Sequence, residues 1–335
     1  MMARILFGDI GGTKTLLNLA SVVDGHCHVL AEQRFASGQF STFDNLLHAF
    51  YQAADIGEGS IDAACFGVAG PVIHSSDGDN AKITNLPWQL NSKSLENRFN
   101  IKKIFLINDF ESVGYGIQAL TDSDLISLQQ GHPIERANRL AIGAGTGLGV
   151  AMMIWCEGQY KVVPTEGGHA DFAPVNDLQH ELCRYLAREH GRVACENVLS
   201  GPGLVNIYRF LHYQHRQHDA VLATLLDEPD PGAAIALAAD RENQVAEESM
   251  TLFVDIYGAQ AGNYALASMA RGGVYVAGGI APKILSRLQT GRFLQHFNNK
   301  GKMAGLMNDI PVNVVLDSNI GLHGAREVAL HAVIH

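Results

Sequence analysis

The chain has 335 residues, 47% hydrophobic and 17% charged, which excludes a disordered or fibrous protein and predicts two domains, since one core seldom holds so many residues. Its 34 acidic against 24 basic residues give a formal net charge of -10, and no Lys/Arg stripe is present to follow a phosphate backbone, so nucleic acid is not an expected partner. Five cysteines (Cys27, Cys65, Cys156, Cys183, Cys195) form no C-x-x-C pair, no apolar run reaches membrane-spanning length, and MMARILFGDIGGTK has no basic region leading into a long apolar stretch; a disulfide framework, a zinc knuckle and a membrane span are excluded, and a cytoplasmic protein is expected.

In chain order, Arg4 to Ala20 reads as a β-hairpin, ILF and TLLNLA around a glycine turn. DAACFGVAGPV and IKKIFLIND follow as strands, the second running into the helical pattern FESVGYGIQAL. RLAIGAGTGLGVAMMI, from Arg139 to Ile154, repeats the strand, glycine turn and strand; setting Arg139 on Arg4 puts Gly143 on Gly8 and Gly147 on Gly12, which points to a duplicated α/β domain. After residue 175 helices dominate: LQHELCRYLAREHG, GLVNIYRFLHYQHRQH and an amphipathic stretch from Asn243 to Arg271 whose Gly258 and Gly262 share one face and predict close helix packing. His212, His215 and His218 recur every three residues on one of these helices and predict a solvated face rather than a metal site. Strands GGVYVAGGI and DIPVNVVLD and a terminal helix from about Leu322 complete the chain.

Three glycine turns each end a strand: Gly8-Asp9-Ile10-Gly11-Gly12-Thr13, Gly143-Ala144-Gly145-Thr146-Gly147 and Gly278-Gly279. Glycine lets main-chain N–H groups approach a phosphate closely, so the three together, with hydroxyls at Thr13 and Thr146, predict a nucleotide site. Neither G-x-x-x-x-G-K-[ST] nor G-x-G-x-x-G fits, which disfavours P-loop and Rossmann folds. Asp9 would repel a naked phosphate; it either holds Mg²⁺ through water or is a plain turn aspartate. Asp109 ends a strand where α/β ligands bind, and is either a base for a hydroxyl proton or the N-cap of a helix starting at Phe110. Glu166, His169 and Glu196 supply two carboxylates and an imidazole suited to sugar hydroxyls, although a solvated helix charge also explains Glu196. Thr84-Asn85-Leu86-Pro87-Trp88 is either an amide and an aromatic at a cleft mouth or a turn with a packed Trp.

GDIGGTKT, ITNLPW, INDFE, GAGTGLG, EGGHADFAP, ENVLSGPGLVNIY and VAGGI occur together in the order found in bacterial glucokinases, and the chain resembles that family over nearly its whole length. The resemblance implies two actin-like (ribonuclease H-like) α/β domains flanking a deep cleft: a small one from 1–118 plus about 319–335, and a large one from 119–318. It implies phosphorylation of D-glucose at the 6-hydroxyl by ATP with Mg²⁺, and a homodimer. Asp109 resembles the catalytic base, and Asn85, Asn108, Glu166, His169 and Glu196 the sugar ligands. Gly8 to Thr13 resembles the ATP phosphate loop and Gly143 to Gly147 the second. Lys14 departs from the group the chain otherwise resembles, which often carries Asn there; substrate range is thereby left open. The Cys-rich zinc motif of repressor-like sugar kinases and an N-terminal helix-turn-helix are both missing from the sequence, which argues against a regulator. The alternatives are a kinase of another hexose or amino sugar, and a sugar or nucleotide sensor without turnover.

Overall fold

The computed structural model describes residues 3–57, 59–215 and 224–334. The chain divides into two compact units, Met1–Thr121 with Asn319–His335, and Asp122–Ser318.

In the first unit the strands are β1 (Ala3–Ile10), β2 (Lys14–Val23), β3 (His26–Ala36), β4 (Ala63–Val68), a small separate sheet of β5 (Val72–Ile73), β6 (Asn80–Lys82) and β7 (Gln89–Asn91), and β8 (Lys103–Asn108). The helices are α1 (Phe43–Ala53), α2 (Ser92–Phe99) and α3 (Asp109–Gly116). The main sheet runs β3-β2-β1-β4-β8, with β1 antiparallel to β2 and parallel to β4, and β4 parallel to β8. Successive side chains of a strand point to opposite faces, so Leu6 and Ile10 enter one apolar cluster with Phe43, Phe50 and Trp88, while Ile5 and Phe7 enter another with Leu322 and Ala325. A sheet covered on both faces needs strands without a polar face, and every residue of β4 is buried.

The second unit holds β9 (Leu125–Gln129), β10 (Arg139–Ala144), β11 (Leu148–Cys156), β12 (Gln159–Thr165), β13 (Val274–Ala277) and β14 (Val312–Val315), in the order β12-β11-β10-β13-β14-β9. Without β9, an antiparallel edge strand, this is the first unit's order again: an antiparallel meander and then two parallel strands. Its helices are α4 (Asp177–His190), α5 (Gly201–His215), α6 (Pro231–Asp240), α7 (Gln244–Ser268), α8 (Leu285–Leu288), α9 (Arg292–Asn298) and α10 (Ala304–Asp309). Gly258 and Gly262 pack as expected: a Cβ on either would enter the backbone of α9, at Phe293 and Phe297.

The terminal helix α11 (Ile320–Ile334) returns to the first unit and lies on α3. A Cβ at Gly116 or Gly324 would collide with backbone of the opposite helix, and Ser112 Oγ donates to Gly321 O at 2.6 Å. The last segment of the chain therefore fixes the helix that begins at Asp109.

Of the two readings of Thr84 to Trp88, the structure has the turn with a packed Trp: Trp88 is buried against Phe43 and its indole N–H donates to Phe40 O at 3.1 Å. One expectation is corrected. His212 is not solvated but buried beside Tyr208, whereas His215 pairs with Glu248 at 2.6 Å; His218 lies outside the described residues. Among the described residues no group of three His, Cys, Asp or Glu could hold a metal ion, and no helix is long and apolar enough to cross a membrane.

Candidate active site

In the first unit, register brings Ile10 beside Val68 and Val68 beside Asn108, so three parallel strands end together on one sheet edge. Ligands of α/β sheets bind at such carboxyl ends. Gly8, Asp9 and Ile10 are still strand: Asp9 pairs with Leu16 and Gly67, so it is not a turn aspartate, and the turn itself is Gly11 to Thr13. Gly11 N–H donates to Lys14 O at 2.9 Å, and Ser37 clamps the turn from outside, its Oγ donating to Gly11 O at 2.7 Å and its N–H to Thr13 O at 3.0 Å. Asp9 reaches solvent, yet the protein crowded around its carboxyl raises its pKa by removing hydration. Gly12 lies against Thr84 O, where a Cβ would come within 2.6 Å, and the next residue, Asn85, is exposed at φ 64, a conformation Asn tolerates well.

Asp109 is the first residue of α3 and is exposed; the N-cap is Asn108. Asn108 Oδ1 accepts the N–H groups of Phe110 at 2.9 Å and Glu111 at 3.3 Å, while Glu111 Oε2 accepts Asn108 N–H at 3.3 Å, a reciprocal capping box. The reading of Asp109 as N-cap of a helix starting at Phe110 is thus overturned: the helix begins one residue earlier and takes its cap from the strand end. Asp109 Oδ1 accepts Phe110 N–H at 2.8 Å, which orients the carboxylate. Asn108 Nδ2 donates one of its two hydrogens to Gly70 O at 3.1 Å.

In the second unit, parallel β10 and β13 end side by side with Gly143 opposite Ala277, so Gly145 to Gly147 and Gly278-Gly279 emerge from the same edge. Gly278 takes φ 82, and a Cβ there would stand 2.7 Å from Ala144 O. By contrast, nothing lies within 4 Å of a Cβ at Gly145 or Gly279, so both α-carbons front open space where a ligand can come close to the backbone. Thr146 is exposed between them in sequence, and Gly201 N–H, at the start of α5, donates to Gly145 O at 2.8 Å.

Glu196 meets the same loop. It sits half-buried in a short 3₁₀ turn, Cys195–Asn197, and its Oε2 accepts Leu148 N–H at 2.8 Å, which overturns its reading as a solvated helix charge. Glu166 precedes the turn Gly167–His169 and His169 ends it; both are exposed, with His169 Nε2 and Glu166 Oε2 3.8 Å apart. That turn rests on Leu148, whose carbonyl leaves no room for a Cβ at Gly168, and is tied to the Glu196 turn by Cys195 N–H donating to Ala170 O at 2.8 Å. Glu166, His169, Glu196 and the glycine loop therefore converge around the first residue of β11. The first unit gathers the Gly11–Thr13 turn, Asn85, Asn108 and Asp109.

A family model described as Glucokinase matches residues 6–332. The chain belongs to the glucokinase family. A curated glucokinase of Nostoc sp. strain PCC 7120 is 42% identical over 346 residues, covering 97% of this chain and 98% of that one. Among solved structures, a glucokinase from an Antarctic psychrotroph matches with a TM-score of 0.83 at 30% identity, covering 98% of this chain and 99% of that one. A ROK family glucokinase from Streptomyces griseus, solved in complex with glucose and AMPPNP, shares the fold with a TM-score of 0.62 at 21% identity, covering 98% of this chain and 100% of that one. The two-domain actin-like architecture expected of the family is the fold observed, and the repeated strand order is its duplication.

The sequence reading missed the groups that hold the family's loops in place. Tyr257 Oη accepts Ala144 N–H at 3.1 Å, Tyr264 Oη donates to Gly167 O at 2.7 Å, and Thr165 Oγ1 accepts Gly167 N–H at 3.1 Å. A signal existed: two tyrosines seven apart on a long, largely buried helix each need a partner for the hydroxyl.

Proposed function

We propose that the protein is an ATP-dependent glucokinase that transfers the γ-phosphoryl group of ATP to the 6-hydroxyl of D-glucose, with Asp109 as general base and the two compact units as its two domains. The observation that carries the assignment of the base is the capping box: because Asn108 satisfies the first turn of α3, the Asp109 carboxylate is not required as a cap. It stands at the carboxyl end of β8, on the edge from which the Gly11–Thr13 turn emerges. Membership of the glucokinase family supports both the reaction and glucose as substrate.

In the proposed reaction Asp109 accepts the proton of the sugar 6-hydroxyl as that oxygen bonds to the γ-phosphorus. The bond from γ-phosphorus to the β,γ-bridging oxygen breaks, ADP leaves, and the carboxyl later returns its proton to solvent. The turn Gly11 to Thr13, the turn Gly145 to Gly147 and Gly278-Gly279 would line the nucleotide phosphates, and the open approach at Gly145 and Gly279 fits that role; Gly8, Ile10 and Gly143, expected there as well, are instead paired on both sides within their sheets, with Ile10 in the apolar core. Asn85, the remaining Asn108 hydrogen, Glu166, His169 and Glu196 would bind sugar hydroxyls. Such a set discriminates epimers because a misplaced hydroxyl leaves a buried partner unpaired. For Mg²⁺ the donor set offers the Asp9 carboxylate and no cluster of three ligands among the described residues, which suits an ion that keeps most of its water and is bound by one carboxylate and the phosphates. When bound, the ion neutralises charge on the transferring phosphoryl group.

Asp109→Asn tests the assignment. It should lower kcat by about 10²–10⁴-fold while glucose still binds; near-normal turnover by the folded variant removes Asp109 from the role. Measuring ADP release with glucose, mannose, fructose and N-acetylglucosamine tests the substrate, and equal or better turnover of one of the other three would displace glucose.

A further inference from the structure

The long helix α7 sends one row of side chains to three separate turns. Tyr257 meets Ala144 N–H at the start of the second glycine loop, and Tyr264 holds Gly167 O in the Glu166–His169 turn. Between them Gln260 Oε1 accepts the Cys195 thiol at 3.7 Å, one residue before Glu196. Positions 257, 260 and 264 share a helical face, and seven residues span roughly 10 Å along the axis, enough to reach different turns. The contrast with neighbouring rings is informative. Phe253 and Phe293, which pack edge-on against Tyr257, carry no hydroxyl. Burying a hydroxyl costs free energy unless it is bonded, and α7 spends two of them on backbone groups of the site's turns.

We propose that Tyr257 and Tyr264 are positioning residues that hold two substrate subsites independently, Tyr257 setting the nucleotide loop at Ala144–Gly145 and Tyr264 setting the turn that carries Glu166 and His169. This rests on the reading above that the loop faces the nucleotide and the turn faces the sugar. Thr165 braces the same turn from its other side, so removal of the Tyr264 hydroxyl loosens the turn without releasing it.

The test is steady-state kinetics of the full chain with both substrates varied, for wild type, Tyr257→Phe and Tyr264→Phe, with Tm measured alongside. Each variant keeps the ring; Tyr257→Phe loses the bond to Ala144 N–H, and Tyr264→Phe loses the bond to Gly167 O together with the hydroxyl's interaction with the Cys195 thiol, which predicts an effect of about three- to tenfold. Tyr264→Phe should raise KM for glucose by that factor and leave KM for ATP within about twofold; Tyr257→Phe should do the reverse. Unchanged KM values in both variants overturn the proposal. So do equal rises in both KM values together with a lower Tm, the pattern of a purely structural role. Wild-type protein that releases no ADP with glucose overturns the functional reading and this assignment with it, whereas normal wild-type turnover with unsplit KM values overturns the positioning role alone.

Discussion

Gly147→Ala is the most discriminating single change, because it separates a displaced carboxylate from a strained backbone. Gly147 does not have a positive φ, so alanine suits its backbone. The new Cβ, however, would stand 2.5 Å from Glu196 Oε2 and 3.3 Å from its Cδ. Carbon and oxygen pack comfortably only beyond about 3.5 Å, so the carboxylate must retreat by about 1 Å. The same Oε2 accepts Leu148 N–H at 2.8 Å, and the retreat takes that bond out of hydrogen-bonding range. The carboxylate ends a flexible side chain, so it yields by rotation. The folding cost is then that of one hydrogen bond to a charged group, about 1.5–3 kcal/mol and several degrees of Tm at most. The catalytic cost should be larger, because a misplacement of about 1 Å in a positioning group lowers turnover by about 100-fold. A coupled assay of ADP release against glucose and ATP, with a thermal melt of the same samples, reads both. We expect kcat/KM for glucose to fall by about 100-fold. Retention of kcat/KM for glucose within about threefold would refute the placement of Glu196 against this loop as functionally important.

Gly145→Ala, two residues earlier, faces open space and has no positive φ, so Tm should hold while KM for ATP rises by about tenfold or more; an unchanged KM for ATP would place the nucleotide elsewhere. Asn108→Ala removes the cap of α3 and should cost about 1–2 kcal/mol by denaturant unfolding, whereas Asp109→Asn should cost less than about 0.5 kcal/mol, and equal costs would contradict the assignment of the cap. Glu111 is buried and its pKa is raised by desolvation, so the folded state binds its proton more tightly than the unfolded state does. Its contribution to stability is therefore greatest below the ordinary carboxylate pKa and declines as pH rises from there through the raised value. Glu111→Gln keeps a capping-box side chain and removes the buried charge, so it should raise Tm at pH 7 and change it less at pH 4; the opposite order, measured by thermal melts, would show that the charge itself stabilises the fold.

The hairpins were legible in the sequence because each is a local object: two apolar strands joined by glycines, with pairing that starts across the turn, at Ile10 with Thr15 and Ala144 with Leu148. The capping of α3 was legible only to within one residue. Asn and Asp both cap well, so the pair Asn108-Asp109 leaves the boundary open until backbone geometry shows that Asn108 is the extended residue. His212 shows a different limit. A spacing of three places histidines on one helical face, but period alone does not say whether that face meets water or, as here, Tyr208. The contact of Glu196 with Gly147, and the reach of α7 to Ala144 and Gly167, join residues 49, 113 and 97 positions apart in the chain, separations at which local pattern carries no information.

The duplicated hairpins also show how one backbone device takes two chemistries. With Arg139 set on Arg4, Ala144 falls on Asp9, so the carboxylate of the first copy has an apolar counterpart in the second. Asp9 stands at its strand edge with its hydration reduced, the proposed place for a divalent ion that would offset its charge beside a phosphate. A carboxylate at position 144 would set a negative charge at the end of β10, in the loop proposed above to meet the nucleotide through its backbone. The second copy instead presents neutral backbone: Ala144 N–H is taken by Tyr257, Ala144 O accepts Ile280 N–H at 3.2 Å, and Gly145 beside it fronts open space. Its nearest charge, Glu196, is drawn back onto Leu148 N–H on the β11 side of the loop.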